Sequence, residues 1–347
     1  MKERIAFVAV GQAAGNIGRL LEMEGYAVLY VNTSEEDLET LEGVKFKYHI
    51  PGGEGCNKDR HKAKQLVVDD FDSIAAEIDA KAAGAGMLFV IFASGGGTGS
   101  GAGPMLADLL IDEGRAVGVI TVIPASEESV KTQINSYECF AELEAIGGTG
   151  ACFIIDNARG ERMRLNQEFV GAFTGFLGIP GRDRSVEGNI DRAEAMETLK
   201  AHGMAVAACS SGEGSAGLIQ ALSEGPSAPV EADRAVKYIA ASLAGGARME
   251  DLEKAFGTPV DNFRTASGGQ SCCCISGLSY PRGRLEEVYQ KAMGSRELVE
   301  RSLAAARDAG LKKDVDFLSG LEPHGGAGRR RQSKRDIMGK YLKGVPS

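Results

Sequence analysis

A glycine-rich segment that follows a run of apolar residues most constrains the fold of this 347-residue chain. The run Met87–Ala93 predicts a buried strand, and residues 104–113 predict a helix. Between them, residues 95–103 read Gly-Gly-Gly-Thr-Gly-Ser-Gly-Ala-Gly. Glycine lets the backbone approach a ligand closely, and a helix N-terminus adds partial positive charge. This order of strand, loop and helix therefore predicts a phosphate-binding loop rather than a flexible linker.

Apolar strands and amphipathic helices alternate through the first half of the chain. The predicted strands cover residues 4–10, 27–31, 87–93, 116–123 and 152–156, and the predicted helices cover 14–24, 58–79, 104–113 and 129–145. Strands that are apolar throughout and separated by helices indicate a parallel sheet covered on both faces. We therefore expect an α/β protein with a Rossmann-like parallel-sheet domain, whose ligands lie at the carboxyl ends of the strands.

The second half is predicted to be smaller and of mixed α+β structure. A helix over 161–178 has so few polar positions that we expect it to be buried between layers. Further helices are predicted at 190–201, 232–244, 284–293 and 295–309, strands at 204–209 and 272–278, and a hinge at 323–328.

Charge is unevenly distributed along the chain. The net charge is −9, but residues 329–347 contain seven basic residues and one acidic residue, a net charge of +6, which leaves −15 for residues 1–328. A basic tail on an acidic body favours contact with an acidic surface, which could belong to another copy, a partner protein or nucleic acid. Tyr341 is the only aromatic residue among these basic residues, so sequence-specific DNA reading is not expected.

Neither a membrane span nor a secretion signal is predicted. No apolar run approaches the roughly 20 residues of a membrane-spanning helix, and the start, Met-Lys-Glu-Arg, does not resemble a signal peptide. The adjacent cysteines 272–274 would alternate between the faces of a strand, which suits neither a zinc site nor a disulfide ladder. We therefore expect a cytoplasmic protein with reduced thiols at all seven cysteines. They are Cys56, Cys139, Cys152, Cys209, Cys272, Cys273 and Cys274.

Two common nucleotide-binding patterns are disfavoured. The loop after the first strand, Gly-Gln-Ala-Ala-Gly at 11–15, lacks the G-x-G-x-x-G spacing of NAD-binding domains. The second strand ends in Asn32 and Thr33, without the acidic residue that would bind a ribose. No G-x-x-x-x-G-K-[ST] sequence occurs, which excludes a Walker loop.

The ordered set of loops resembles the tubulin/FtsZ superfamily of GTPases from about residue 4 to 280. Its signature is G-G-G-T-G-S-G at 95–101, paired with N-I-D-x-x-E at 189–194. The supporting segments are G-Q-A-A-G-N at 11–16, G-G-E-G-C-N at 52–57, T-V-I-P at 121–124 and D-N at 156–157.

The resemblance implies a GTP/GDP site with roles for individual residues. Phosphate contacts are implied for Gly95, Gly96, Gly97, Thr98 and Gly99, and γ-phosphate sensing for Gly53, Gly55 and Cys56. Contacts with phosphate, sugar and base are implied for Gly11, Gln12, Ala13 and Asn16, with the sugar for Glu128 and Asn157, and with guanine for Asn166. An amide suits guanine because it both donates and accepts hydrogen bonds. Structural alternatives stay open for Asn166, as a core amide, and for Asn16, at a helix start.

The resemblance also implies a catalytic role for Asp191 and Glu194, with Asn189 shaping their loop. Residues three apart at a helix start project from one face. In the family, the equivalent acids complete the site of the next subunit, where GTP and Mg²⁺ are bound. No metal ligand is assigned to this chain. The alternative is a helix cap, in which Asp191 caps and Glu194 lies in the first turn. Both roles are compatible.

The sequence departs from the family pattern near the γ-phosphate. Thr132 stands where FtsZ carries an arginine, and Lys131 is the neighbouring lysine that could replace it. Ser100 replaces a common threonine. No core catalytic group is missing from the pattern.

The resemblance implies five parts and a filament-forming function. The parts are a GTP-binding domain at 1–159, a central helix at 160–182, an activation or C-terminal domain at 183–294, a C-terminal helix at 295–322 and a basic tail at 323–347. A terminal helix with a basic tail is similar to the plasmid and phage tubulins (TubZ/PhuZ type), which implies a head-to-tail filament for DNA segregation or positioning. In that branch, the tail contacts the adjacent subunit or a DNA-bound adaptor. One alternative is an FtsZ-type division filament, because residues 336–343 loosely resemble the tail peptide of FtsZ. The other is a non-polymerising protein that binds NAD or GTP.

Overall fold

The computed structural model describes residues 1–183, 185, 188–231, 236–294, 338, 339 and 341. The predicted helix at 295–309 and most of the basic tail lie outside the described residues. The strands form one sheet in the order β3-β2-β1-β4-β5-β6-β7-β10-β8-β9. Their bounds are β1 Ile5–Val10, β2 Ala27–Asn32, β3 Phe46–His49, β4 Met87–Ala93, β5 Val117–Ile123, β6 Ala151–Asp156, β7 Gly203–Ser210, β8 Val236–Leu243, β9 Pro259–Ala266 and β10 Ser271–Leu278.

Helices cover both faces of this sheet. They are α1 Gln12–Met23, α2 Glu35–Glu39, α3 Arg60–Lys81, α4 Thr98–Asp112, α5 Val130–Ala145, α6 Arg162–Arg182, α7 Arg192–Lys200, α8 Ala216–Glu224 and α9 Met249–Phe256. Residues 282–294 are also helical.

Strands β1 to β7 pair in parallel, so their carboxyl ends meet at one edge. Gly11 follows β1, Thr33 follows β2, and the glycine-rich segment follows β4 at this edge. Strand β10 is antiparallel to both β7 and β8, which makes the far part of the sheet mixed. The predicted α/β class with a parallel Rossmann-like sheet and a mixed second part is confirmed.

A cluster of aromatic rings lies between the sheet and α6. Phe173 stacks on Phe169 at 5.7 Å and contacts Phe7, Phe89 and Phe153 edge-on at 5.1–6.1 Å. All five side chains are 1% exposed or less. The apolar sequence of α6 predicted this burial, and the helix runs about 31 Å across the sheet at 1.5 Å per residue.

The prediction of a helix at 232–244 is wrong. The described part of that segment is β8, which pairs with β10 and β9 in the interior of the sheet. Its alanines favour a helix by intrinsic propensity, but strand pairing and burial on both faces override that preference. Strands β3 and β9 and helices α2, α8 and α9 were not predicted, because they are short or lack a clear period.

The prediction that every cysteine is a reduced thiol is also wrong for one pair. Cys209 and Cys272 form a disulfide, because they are direct partners in the antiparallel pairing of β7 and β10. The other five cysteines are free and buried. Burial raises the pKa of Cys152 to about 12, so this thiol stays protonated.

Part of the predicted tail packs on its own chain. Tyr341 is 3% exposed, its hydroxyl bonds to Asp108 Oδ2 at 3.2 Å, and Lys64 Nζ lies 5.3 Å from the centre of its ring. Helices α3 and α4 therefore supply a contact surface for this segment.

We expect Phe173→Ala to lower the free energy of unfolding by about 3–5 kcal/mol, since it leaves a cavity among four other rings. Met163→Ala on the same helix is the control, because Met163 is 46% exposed. Urea denaturation followed by circular dichroism measures both variants. Equal midpoints would contradict the role of this cluster.

Candidate functional site

The glycine-rich segment fits against the sheet and the start of α3 only because its glycines lack side chains. Helix α4 begins at Thr98, six residues before the predicted start at Pro104. A Cβ on Gly99 would lie 3.1 Å from the main-chain N and O of Ala93, and one on Gly101 would lie 2.4 Å from the Arg60 carbonyl oxygen. The first turn of α4 is thus pressed onto the strand ends, so its free N–H groups lie at the carboxyl edge.

The loop after β1 adjoins this turn. Gly11 has a φ of 85° and precedes α1. A Cβ on Gly11 would lie 3.3 Å from Gly99 N, so the two backbones are nearly in contact. Gln12, Ala13 and Asn16 follow on α1 and are exposed at this edge. The structure therefore brings the predicted loops at 11–16 and 95–101 together.

Thr33 connects the loop at 52–57 to the glycine loop, and the predicted site residues did not include it. Its hydroxyl is fully buried and bonds to Thr98 Oγ1 at 2.7 Å and Cys56 Sγ at 3.3 Å. Its carbonyl oxygen accepts a hydrogen bond from Gly55 N at 2.8 Å. Gly53 packs on the same residue, since a Cβ there would lie 2.5 Å from the Thr33 carbonyl oxygen. Its position just after β2, at the carboxyl edge of the sheet, is the sequence feature that could have indicated a site residue.

Asn135 is a second residue that was not predicted. Its amide nitrogen, on α5, lies within 3.5 Å of three carbonyl oxygens, those of Lys58, Gly95 and Gly96. This side chain is 5% exposed. A buried amide that donates to two loops fixes their separation.

The two residues implied at the sugar are adjacent. Asn157 Nδ2 donates to Glu128 Oε1 at 3.2 Å, and Arg162 pairs with the same oxygen at 3.0 Å. Arg284 supports this region from the far part of the chain. It pairs with Asp156 at 2.9 Å and donates to the Pro124 carbonyl oxygen at 2.6 Å. A buried ion pair therefore joins helical residues 282–294 to the ends of β5 and β6.

Asn166, the residue implied at the guanine base, lies on the inner side of α6. It lies on α6, is 8% exposed, and has no hydrogen-bond partner within the described part of the chain. The amide atoms are not fully enclosed by the described residues, so water or a ligand can reach them. Helix α6 packs against α1, which carries Asn16.

Lys58, and not Lys131, lies beside Thr132. Lys58 Nζ donates to Thr132 Oγ1 at 2.7 Å and to Ser129 Oγ at 2.8 Å. Lys131 Nζ points to the outer side of the loop, where it donates to the Asn57 carbonyl oxygen at 3.3 Å. The nearest ammonium to the position of the family's arginine therefore comes from a different element than the sequence indicated.

Asp191 and Glu194 form a capping box at the start of α7. Asp191 Oδ1 accepts hydrogen bonds from Ala193 N and Glu194 N at 2.7 and 2.9 Å, and Glu194 Oε2 accepts one from Asp191 N at 2.9 Å. Asn189 Oδ1 accepts a hydrogen bond from Ser185 N at 2.7 Å, which shapes the preceding loop. The capping alternative is thus confirmed, and Asp191 remains exposed.

These acids lie at the opposite edge of the sheet from the glycine loop. Arg192, the first residue of α7, lines the same surface depression as Met1 and Lys2, which precede β1. Strand β1 alone separates that edge from Gly11 by about 20 Å at 3.3 Å per residue. One chain therefore does not bring the two predicted parts of the site together.

The described residues contain no preformed metal-binding cluster. Within them, no group of three or more His, Cys, Asp or Glu side chains is placed to hold an ion. Mg²⁺ bound with a nucleotide commonly takes most of its ligands from phosphates and water. In the same residues, no helix has the length and apolar character needed to span a membrane.

Comparison with known proteins relates the chain to one family. Residues 4–163 match the model of the tubulin/FtsZ family GTPase domain. The tubulin-like protein TubZ of a Clostridium botulinum C phage is 31% identical over 207 residues, which cover 57% of this chain and 57% of that protein. The match thus spans little more than half the length of this relative.

Solved structures show the same fold. The crystal structure of Clostridium botulinum phage c-st TubZ aligns with a TM-score of 0.77 at 23% identity, covering 86% of this chain and 100% of that chain. A GTPγS-form protofilament of TubZ from Bacillus thuringiensis serovar israelensis aligns with a TM-score of 0.73 at 15% identity, covering 87% and 94%. At these identities, the similarity establishes the architecture alone.

We expect Arg284→Ala to lower the free energy of unfolding by about 3–5 kcal/mol, since it leaves the Asp156 carboxylate buried without its partner. The control is Arg248→Ala, which breaks the exposed pair with Asp251 and should change the stability much less. Chemical denaturation compares the two variants. A loss for Arg284→Ala no larger than that of the control would contradict the supporting role of this pair.

Proposed function

Since residues 4–163 match the model of the tubulin/FtsZ family GTPase domain, we propose that the chain binds GTP and polymerises head to tail. In this proposal, GTP is hydrolysed to GDP and phosphate at the interface between consecutive subunits. The observation that carries it is the placement of the predicted site at two opposite edges of one sheet. Two copies stacked end to end would bring the acidic edge of one onto the glycine loop of the other.

The carboxyl edge has the features that a nucleoside triphosphate requires. The first turn of α4 offers main-chain N–H groups to phosphate oxygens from Gly97, Thr98 and Gly99, and Gly11 and Gly96 leave room for a close approach. No atom lies within 4 Å of the position a Cβ on Gly96 would take, so the loop is open there. The unpaired Asn166 amide would bind the guanine edge. The Glu128–Asn157 pair would contact the ribose.

The amino edge would supply the catalytic acids. Asp191 and Glu194 each use one carboxylate oxygen for the capping box, so each keeps a second oxygen for an incoming ligand. Bound Mg²⁺ would neutralise the developing charge on the phosphates, and the acids would orient the attacking water. The capping box supports this role because it fixes both carboxylates at the start of a helix whose inner face is buried.

We further propose that the filament acts in the cytoplasm in the segregation or positioning of plasmid or phage DNA. The similarity to a phage TubZ and the +6 charge of residues 329–347 support this role over cell division. The tail would contact an adjacent subunit or a DNA-bound adaptor protein, and the hydrogen bond of Tyr341 to Asp108 on α4 supports a contact between part of the tail and the body.

We expect the GTPase rate per subunit to rise steeply with protein concentration, because the site is complete only between subunits. Phosphate release and right-angle light scattering, measured over the same concentration series, should rise together. A rate per subunit that is independent of concentration would contradict hydrolysis at an interface.

A variant that removes the charge of Asp191 but keeps its helix cap separates a catalytic role from a structural one. Asp191→Asn retains a capping oxygen, since Asn caps helices as well as Asp does. We expect this variant to bind GTP like the unmodified chain, to hydrolyse it at least 10-fold more slowly, and to form longer-lived filaments. Glu197→Gln on the same helix is the control and should leave the rate unchanged. Normal hydrolysis by Asp191→Asn would assign that residue to the cap alone.

A further inference from the structure

We infer that Lys58 binds the terminal phosphate of the nucleotide and makes this site distinguish a triphosphate from a diphosphate. This inference rests on the proposed GTP site. It concerns a residue that neither the glycine loop nor the N-I-D-x-x-E segment contains.

The Lys58 ammonium lies across the start of α5, next to the glycine loop. Its two hydrogen bonds go to Ser129, the N-cap of α5, and to Thr132 in the first turn. Thr132 in turn packs on the glycine loop, since a Cβ on Gly95 would lie 2.3 Å from Thr132 Cγ2. The ammonium therefore lies at the N-terminus of α5, while the Lys58 backbone lies against Gly97, the N-cap of α4.

The surroundings of the Lys58 ammonium supply no negative charge. Both helix N-termini carry partial positive charge, and neither first turn contains an acidic residue. No carboxylate among the described residues pairs with the Lys58 ammonium. An anion beside the Lys58 ammonium and the helix N-termini would interact favourably with all of them. A phosphate group has the charge and the oxygen geometry for this contact.

The backbone keeps Lys58 there at a conformational cost. Asn57, with φ of 44°, and Lys58, with φ of 60°, are the only non-glycine residues of the described chain with positive φ. That region is unfavourable for residues with a Cβ. The Asn135 amide holds the Lys58 carbonyl oxygen at 3.1 Å, and Gly97 packs on Lys58 N and Cα. A strained loop that is fixed from two sides fits a binding role better than a linker role.

The number of donors also fits a phosphate contact. An ammonium group has three N–H donors, and two of those on Lys58 bond to hydroxyl groups. The third remains for a phosphate oxygen. The neighbouring Lys62 and Lys131 instead donate to the carbonyl oxygens of Gly55 and Asn57 in the same loop. Lys58 is thus the loop lysine whose ammonium reaches the hydroxyls beside the glycine loop.

The test compares binding of GTPγS and GDP, each as a fluorescent derivative, at protein concentrations too low for light scattering to detect assembly. We expect Lys58→Met to weaken GTPγS binding about 10- to 100-fold and GDP binding less than 3-fold, as loss of one charge-assisted hydrogen bond would do. Lys131→Met is the control, because it removes the same charge from a lysine that contacts the same loop but not Thr132. It should change neither affinity. Lys58→Arg should retain most of the preference for GTPγS.

The outcomes separate this inference from the proposed function. If the unmodified chain binds both nucleotides and Lys58→Met binds them unchanged, or loses both equally, the inference is overturned while the GTP site stands. If the unmodified chain binds neither nucleotide, both are overturned. Circular dichroism and denaturation midpoints of the variants show whether any loss comes from unfolding.

Discussion

The close packing of the first turn of α4 against the ends of β1 and β4 is the constraint on which the rest of the structure depends. Gly99 touches the main chain of Ala93 and Gly11, and Gly101 touches that of Arg60. A side chain at 99 would push α4 away from the sheet, and one at 101 would push it away from the start of α3. Because α4 lies this deep, its N–H groups open onto the carboxyl edge, where Thr33, Cys56 and the loop before α3 pack around it. The binding edge is therefore a consequence of backbone contact.

The same sheet separates the two parts of the proposed site. Helix α6 starts at the carboxyl edge, where Arg162 pairs with Glu128, and carries the chain across the sheet to α7. Its aromatic cluster fixes that crossing. The acids of α7 therefore face away from the nucleotide loops of their own chain, and a rigid core makes this separation a fixed dimension of each subunit. Hydrolysis and assembly are coupled in the proposal because neither edge is complete alone.

The sequence predicts the parts of the fold that depend on local patterns. Continuous apolar strands, the glycine loop after Met87–Ala93 and the apolar α6 were all found, since each is visible within a short window. Strand β8 was missed because its alanines favour a helix and only its pairing with β9 and β10 makes it a strand. The disulfide between Cys209 and Cys272 was missed for the same reason, since strand register brings together residues 63 apart. Thr33, Asn135 and Lys58 act through contacts between distant loops, which one sequence does not reveal.

Mixing two inactive variants tests the central claim most directly. Gly96→Asp places a carboxylate on the phosphate loop at a position with room for it, so this variant should fold but not bind GTP. Asp191→Asn with Glu194→Gln binds GTP but lacks the acids. Each alone should hydrolyse GTP slowly. If the site is shared between subunits, the mixture will hydrolyse GTP faster than the sum of the two separate rates, because an intact glycine loop then meets intact acids. A mixture no faster than that sum would contradict the account.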